Sequence, residues 1–238
     1  MAQVGVAAAP GTVVIFSDIG CPWAHAAVWR LWDARRRLGL DDRVRFDHRA
    51  FPLELFNSQA TPRNELEPEI PACSSLAPRA GWQPWSAPEW EWPATMLPPM
   101  EAVQAAKEQG LAASEALDRG LRRAFWGESR YISLRHVILE VASEVEGLDL
   151  ASLAEALDAG RARPMLFQQW ETAKTDAVQG SPHLFVSDGT NAQNPGVDAD
   201  WREEPAGIWI PTITRDDPTA YDDFLRRAAA DVPADQGA

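Results

Sequence analysis

Cysteine is scarce in this chain: among 238 residues only Cys21 and Cys73 carry a thiol. Two cysteines cannot build a disulfide scaffold. They fit a reducing compartment, where a thiol is kept for chemistry or simply buried. Lysine is equally scarce, with Lys107 and Lys174 alone. Positive charge therefore rests on arginine, and it is outnumbered, 22 Lys and Arg against 35 Asp and Glu, for a net charge of −13. Without a basic stripe to displace phosphate counterions, a duplex nucleic-acid binder is excluded. An anionic membrane surface would repel the chain as well. The main basic cluster, Arg35-Arg36-Arg37, suits the C-terminal end of a helix. No apolar run is long enough to span a bilayer. Met1 to Pro10 lacks the basic n-region and long h-region of a secretion signal, so a cytoplasmic setting is expected. His25, His48, His136 and His183 are scattered and share no ligand spacing with the cysteines, so no metal is expected. No serine sits in a nucleophile elbow, and no glycine-rich loop resembles a phosphate cradle.

What is present starts with a packed core, since hydrophobic residues make up 45% of the chain. Thr12 to Ser17 reads as a short, buried, β-branched strand. Pro22 to Leu38 reads as a helix stopped by Gly39. Between them lies Cys21-Pro22-Trp23-Ala24. A thiol at a strand-to-helix turn meets the unpartnered N–H groups and positive end of the helix dipole. Such a setting can lower a cysteine pKa to roughly 3.5–7.5. Pro22 suits the first helical position. Ala24 stands where a second cysteine would complete Cys-x-x-Cys, so the stretch reads as a thiol redox site with one half missing.

The alternation of Val44, Phe46 and His48 with Arg45, Asp47 and Arg49 predicts a second strand. It is most economically parallel to the first, across the helix. From about Pro52 to Pro99 the chain reads as irregular, Pro-rich and Trp-rich, with Trp82, Trp85, Trp90 and Trp92. Two readings stand for these tryptophans: extra core, or the wall or lid of an apolar pocket. Helical periods follow over 101–109, 114–126, 133–146 and 150–159. Each ends at a glycine, Gly110, Gly127, Gly147 and Gly160. A last helix of this group covers 164–176. Strands are predicted at His183 to Val186 and Gly207 to Ile210, with Asn191 to Glu204 as a polar loop. An amphipathic helix over Asp217 to Ala230 turns Tyr221, Phe224 and Leu225 inward, and the tail after Asp231 is expected to fray.

The order β-α-β, helices, β-β-α, with Cys-Pro-x-x after the first strand, resembles the thioredoxin fold. The helical interruption resembles the DsbA family. Within that family the chain is similar to FrnE-like dithiol–disulfide isomerases and their 2-hydroxychromene-2-carboxylate isomerase relatives. The matching residues are Ser17-Asp18-Ile19-Gly20-Cys21-Pro22-Trp23, Phe51-Pro52-Leu53, and Val178-Gln179-Gly180-Ser181-Pro182-His183-Leu184-Phe185-Val186. The resemblance implies an α/β, thioredoxin-like fold with a helical domain inserted between the β-α-β and β-β-α halves. The thioredoxin-like part would take residues 1–60 and 176–238, the Pro/Trp-rich loop 61–99, and the helical domain 100–175. It also implies that Cys21 is the nucleophile, Pro22 and Trp23 shape its turn, and Pro182 is a cis-proline facing it, with Ser181 beside it in contact with substrate.

Ala24 departs from the dithiol pattern. Cys21 alone could form a mixed disulfide but not resolve it locally, because exchange needs a second attacking thiolate. A small external thiol, glutathione or mycothiol, could complete the cycle as co-substrate, with no tightly bound cofactor. Cys73, whose neighbours Ala72, Ser74 and Ser75 suggest a mobile loop, is either a remote resolving cysteine or an unpaired one. His25, four residues after Cys21, either steadies the thiolate or is an ordinary helix histidine. His183 points toward the site or away from it. The first functional expectation is a cytoplasmic monothiol oxidoreductase acting on a small thiol or disulfide, without nucleic acid or membrane and with its oligomeric state open. The alternatives are a thiol-dependent isomerase or transferase, of the hydroxychromene-carboxylate isomerase or kappa glutathione transferase type, and a non-catalytic thioredoxin-like binding protein.

Overall fold

A computed structural model describes residues 5–230 and 232, apart from 61 and 206. The fold is thioredoxin-like. Its central sheet has four strands in the order β2-β1-β3-β4. Strand β1 (Thr12–Ser17) pairs in parallel with β2 (Arg45–Ala50) across helix α1 (Pro22–Arg37). It pairs antiparallel with β3 (His183–Phe185), which in turn pairs antiparallel with β4 (Asn191–Gln193). Successive side chains of β1 point to opposite faces. Val13 and Ile15 join α1 and Phe46 in one core, whereas Val14 and Phe16 join Phe51, Val178 and Phe185 in another. That is why β1 is apolar without alternation: both its faces are covered.

The second strand runs parallel to the first, as the alternation predicts. Phe46, His48 and Ala50 are buried, while the residues between them are more exposed. The last helix, α10 (Thr219–Ala230), buries Tyr221, Phe224 and Leu225. The tail expected to fray lies outside the described residues, apart from Val232.

Between the halves, α5 (Leu97–Ala106), α6 (Leu111–Glu128), α7 (Arg135–Ser143), α8 (Leu150–Asp158) and α9 (Arg163–Ala173) share one large core. Here α6 differs from expectation by running through Gly127. A Cβ at Gly127 would lie 2.6 Å from the Gly81 carbonyl oxygen. That glycine serves a close backbone approach, and the left-handed end of the helix falls at Ser129, φ 53°.

Two further stretches depart from the sequence reading. The segment expected to be irregular holds α2 (Leu53–Asn57), α3 (Arg63–Leu66) and α4 (Ile70–Leu76), with a 3-10 turn over Glu67–Glu69 between the last two. Prolines at Pro52, Pro62 and Pro71 stand at or just inside the starts of these helices, where a missing N–H costs nothing. The expected polar loop and short strand prove to be β4 followed by a separate hairpin, β5 (Val197–Glu204) and β6 (Ile208–Asp216). Its charged strand β5 carries little β-propensity, so pairing with the β-branched β6, which packs against α4 and the 67–69 turn, stabilises it. The hairpin is anchored at Gly196, φ 75°, where a Cβ would come within 2.1 Å of the Asp217 carbonyl oxygen.

Candidate active site

Cys21 is the N-cap of α1, with extended φ −89° and ψ 119°, and Pro22 fills the first helical position. The turn leading to it is tied from several sides. Asp18 accepts the Gly20 N–H at 2.7 Å and the Leu53 N–H at 2.8 Å, joining the turn to the start of α2. Arg122, only 1% exposed, donates from α6 to the Asp18 carbonyl at 3.0 Å and to the Ser17 hydroxyl at 2.9 Å. Its own charge is met by Asp118 at 2.8 Å.

Across from this turn lies the Ser181–Pro182 peptide, which is cis. The Cys21 thiol donates to the Ser181 carbonyl at 3.2 Å, and the Ser181 hydroxyl accepts the Asp18 N–H at 2.9 Å. The fold thus brings together Cys21, Pro22, Trp23, Ser181 and Pro182 from segments some 160 residues apart. Ala24 is fully buried in the first turn of α1.

The thiol is not poised as the sequence suggests. Cys21 is 4% exposed, and burial pushes its pKa up to about 12. The Ser181 hydroxyl and the Ala24 N–H at the helix start pull the other way, while Glu69 and Asp18 add to the rise. Helix geometry is as expected, but desolvation outweighs it. Burial likewise pushes Asp18 up to about 6 and Glu69 up to about 7.

A cleft of about 800 Å³ opens over the thiol. Its aromatic walls are Trp23, Phe51, Phe56 and Trp201. Trp23 donates its indole N–H to Glu69 at 2.5 Å, and its ring lies 5.7 Å from that of Trp201 on the hairpin. Phe51 and Phe56 stack at 4.5 Å. Glu69, Asp198 and Trp201 were not singled out from the sequence. Glu69 lies in the Pro-rich acidic stretch before α4, and the hairpin residues lie in a charged run with weak strand character. The nearest sequence signal was Phe51-Pro52-Leu53.

Both candidate histidines lie off this cleft. His25 lies against Trp82 and Trp126, and its Nε2 bonds the Ala80 carbonyl at 3.1 Å. Burial, helped by Arg122, lowers its pKa to about 3, so it stays neutral and does not steady a thiolate. His183 accepts the Gln179 N–H at 3.0 Å and bonds Asn191 at 3.1 Å. It holds the cis-proline loop against β4 and is not among the residues that line the cleft.

Cys73 sits on α4, not in a mobile loop, and is fully buried. Burial is the largest of the effects raising its pKa, and Cys21 and Glu69 add to it. The Trp-rich segment supplies core: Trp85 and Trp92 pack on Phe125, and Trp82 on Trp126. None of its tryptophans lines the Cys21 cleft, although Trp90 is 82% exposed. Among the described residues no group of three or more His, Cys, Asp or Glu could hold a metal. No described helix is long and apolar enough to cross a membrane.

A family model for the DSBA-like thioredoxin domain matches residues 12–200, from β1 through the cis-proline loop into the hairpin. The chain belongs to this family. No curated protein sequence matches it. Among solved structures, this DSBA-like chain is similar to a probable DsbA oxidoreductase from Streptomyces coelicolor, at 16% identity, TM-score 0.62, and coverage of 95% of this chain and 93% of that one. It is similar to the cytosolic disulfide reductase DsbM from Pseudomonas aeruginosa with GSH, at 20% identity, TM-score 0.54, and coverage of 90% and 96%. A 2-hydroxychromene-2-carboxylate isomerase matches at 19% identity, TM-score 0.55, over 76% and 87% of the two chains. At these identities the likeness is one of fold.

Proposed function

We propose that this DSBA-like chain is a thiol–disulfide oxidoreductase of the cytoplasm that exchanges through Cys21 alone. An external low-molecular-weight thiol, glutathione or mycothiol, would complete its cycle. The observation that carries this reading is the Cys21 thiol facing the Ser181 carbonyl beside the cis Pro182, with Ala24 where a second motif cysteine would stand. In this scheme Cys21 loses its proton and attacks one sulfur of a disulfide. The Cys21–substrate S–S bond forms, the original S–S bond breaks, and the other half leaves as a thiolate that takes up a proton. A small thiol then attacks the mixed disulfide, forms a new disulfide with the substrate half, and returns Cys21 to the thiol. The cytosolic disulfide reductase among the structural neighbours supports the assignment. Pro22, Trp23 and Ser181 would shape and contact the exchanging sulfur.

Intact mass after treatment with oxidised glutathione and, separately, oxidised mycothiol tests this. A single adduct in native and Cys73→Ser protein, absent from Cys21→Ser, is expected. Loss of two hydrogens requiring both cysteines would replace the monothiol cycle with a Cys21–Cys73 pair. One observation favours a second reading, that of a thiol-dependent isomerase. Burial holds Cys21 as a thiol, and the aromatic walls suit a flat apolar substrate. Activity on such a substrate that survives Cys21→Ser but needs added thiol would favour it.

A further inference from the structure

The Cys21 cleft has an unusual charge for a site that meets small thiols. Glu65, Glu69 and Asp198 line it, and no Lys, Arg or His does. Asp198 has Arg215 at 3.7 Å on the hairpin, where both are well exposed. Glu65 and Glu69 have no cation within ion-pair distance among the described residues. Arg63, one helix turn away, is taken by Glu67 at 2.8 Å. Arg122 lies behind the Cys21 turn and is neutralised by Asp118 at 2.8 Å. The rest of the polar wall is uncharged: the amides Asn57, Gln179, Gln193 and Asn194, and Ser181, whose hydroxyl accepts the Asp18 N–H.

We infer that this cleft selects thiols and disulfides without net negative charge, bearing hydroxyl or amide groups, and discriminates against anionic ones such as glutathione. The inference deepens the exchange reading above and rests on it for its biological meaning. Glutathione carries more carboxylates than ammonium groups, and this cleft offers it no guanidinium or ammonium partner. An anionic ligand entering such a cleft meets like charge in a partly desolvated setting, where repulsion is felt most. A neutral ligand meets none. Its hydroxyl or amide groups find the four amide side chains, and its apolar face finds Trp23 and Trp201.

Two measurements separate this inference from the exchange reading. The first needs no disulfide. In Cys73→Ser protein, alkylation of Cys21 by iodoacetamide is compared with alkylation by iodoacetate, a reagent of nearly the same size that is anionic. Both rates are divided by those on a free cysteine peptide at the same pH. Local potentials of this kind change on-rates by roughly ten-fold or more. The normalised preference for iodoacetamide is therefore expected to reach about ten-fold at low salt, to shrink in high salt, and to shrink in Glu65→Lys. Equal normalised rates, or a preference that ignores both salt and Glu65→Lys, would overturn the inference. The second measurement compares mixed-disulfide formation with oxidised glutathione, bis(2-hydroxyethyl) disulfide and cystamine, normalised in the same way. Glutathione is expected to be slowest, and its being fastest would overturn the inference. If none of the three reacts while the alkylation preference holds, the exchange reading falls and the charge selection stands.

Discussion

The Cys21 cleft and the groove running along α1 past His25, Trp29, Trp32 and Arg36 are similar in size, about 800 and 980 Å³. Their chemistry is opposite. In the groove two of the three carboxylates are met by arginines: Asp33 by Arg79 at 3.1 Å, and Glu144 by Arg123 and by Arg130 at 3.0 Å. Arg36 and Arg119 stack on Trp32 at 5.1 and 3.8 Å. No cysteine lines it. In the cleft, Glu65 and Glu69 stand without a balancing guanidinium among the described residues, and Cys21 lies buried beside them. The larger hollow is thus an arginine-rich seam between α1, α6 and α7, and the smaller one holds the Cys21 thiol. Volume does not locate chemistry here. Unpaired charge beside a reactive atom does.

One residue belongs to both regions, and removing it would have the largest effect. Arg122 lines the groove yet donates into the Cys21 turn through Asp18 and Ser17. Arg122→Met leaves the buried Asp118 facing only His48, 3.5 Å away, and breaking a buried pair in this way costs about 3–5 kcal/mol. Denaturant unfolding should show a drop of that order, with Cys21 alkylated faster in the native baseline. A loss below about 1 kcal/mol would mean that the two regions are not coupled through this side chain.

A smaller effect comes from the cleft itself. The folded state raises Glu69 from 4.5 to about 7, so folding disfavours its ionised form. Stability from this group is therefore complete below pH 4.5 and is lost as pH rises through 7. Glu69→Gln keeps an acceptor for the Trp23 indole and removes the charge. It should stabilise the protein at pH 8 by about 1–3 kcal/mol and change nothing near pH 4. Thermal melts across that range decide it, and a pH-independent change would show that the carboxylate is not strained.

The smallest effect is expected in the groove. Arg119→Gln loses a stacking contact on Trp32 worth about 0.5–1 kcal/mol. It should leave the iodoacetamide-to-iodoacetate ratio at Cys21 unchanged. A shift in that ratio would erase the distinction between the two regions.

The frame of the molecule was readable because its signals are local. Cys21-Pro22 at a strand end, the alternation through Phe46 and His48, and Ser181-Pro182 before an apolar strand each carry their meaning within a few residues. What escaped depends on distant partners. Gly127 reads as a helix stop until Gly81 is seen pressing against it. His25 stands at helical spacing from Cys21, but Ala80 and two tryptophans claim its ring. The direction of the Cys21 pKa shift was misread for the same reason. A helix start is visible in sequence, whereas the α2–α4 segment and hairpin that wall the cleft around the thiol are not. Glu69 and Trp201 come from those two covering segments, where short helices and charged strands leave almost no periodic trace.

The bond between the Cys21 thiol and the Ser181 carbonyl closes a separation of 160 residues. Ribosomes add about 5–20 residues per second, so Ser181 follows Cys21 by roughly 8–32 s during synthesis. Through that interval the cis-proline loop facing the sulfur does not yet exist, and neither does the hairpin that helps wall the cleft. The nascent chain therefore carries a bare thiol at a helix start before the segments that desolvate it are made.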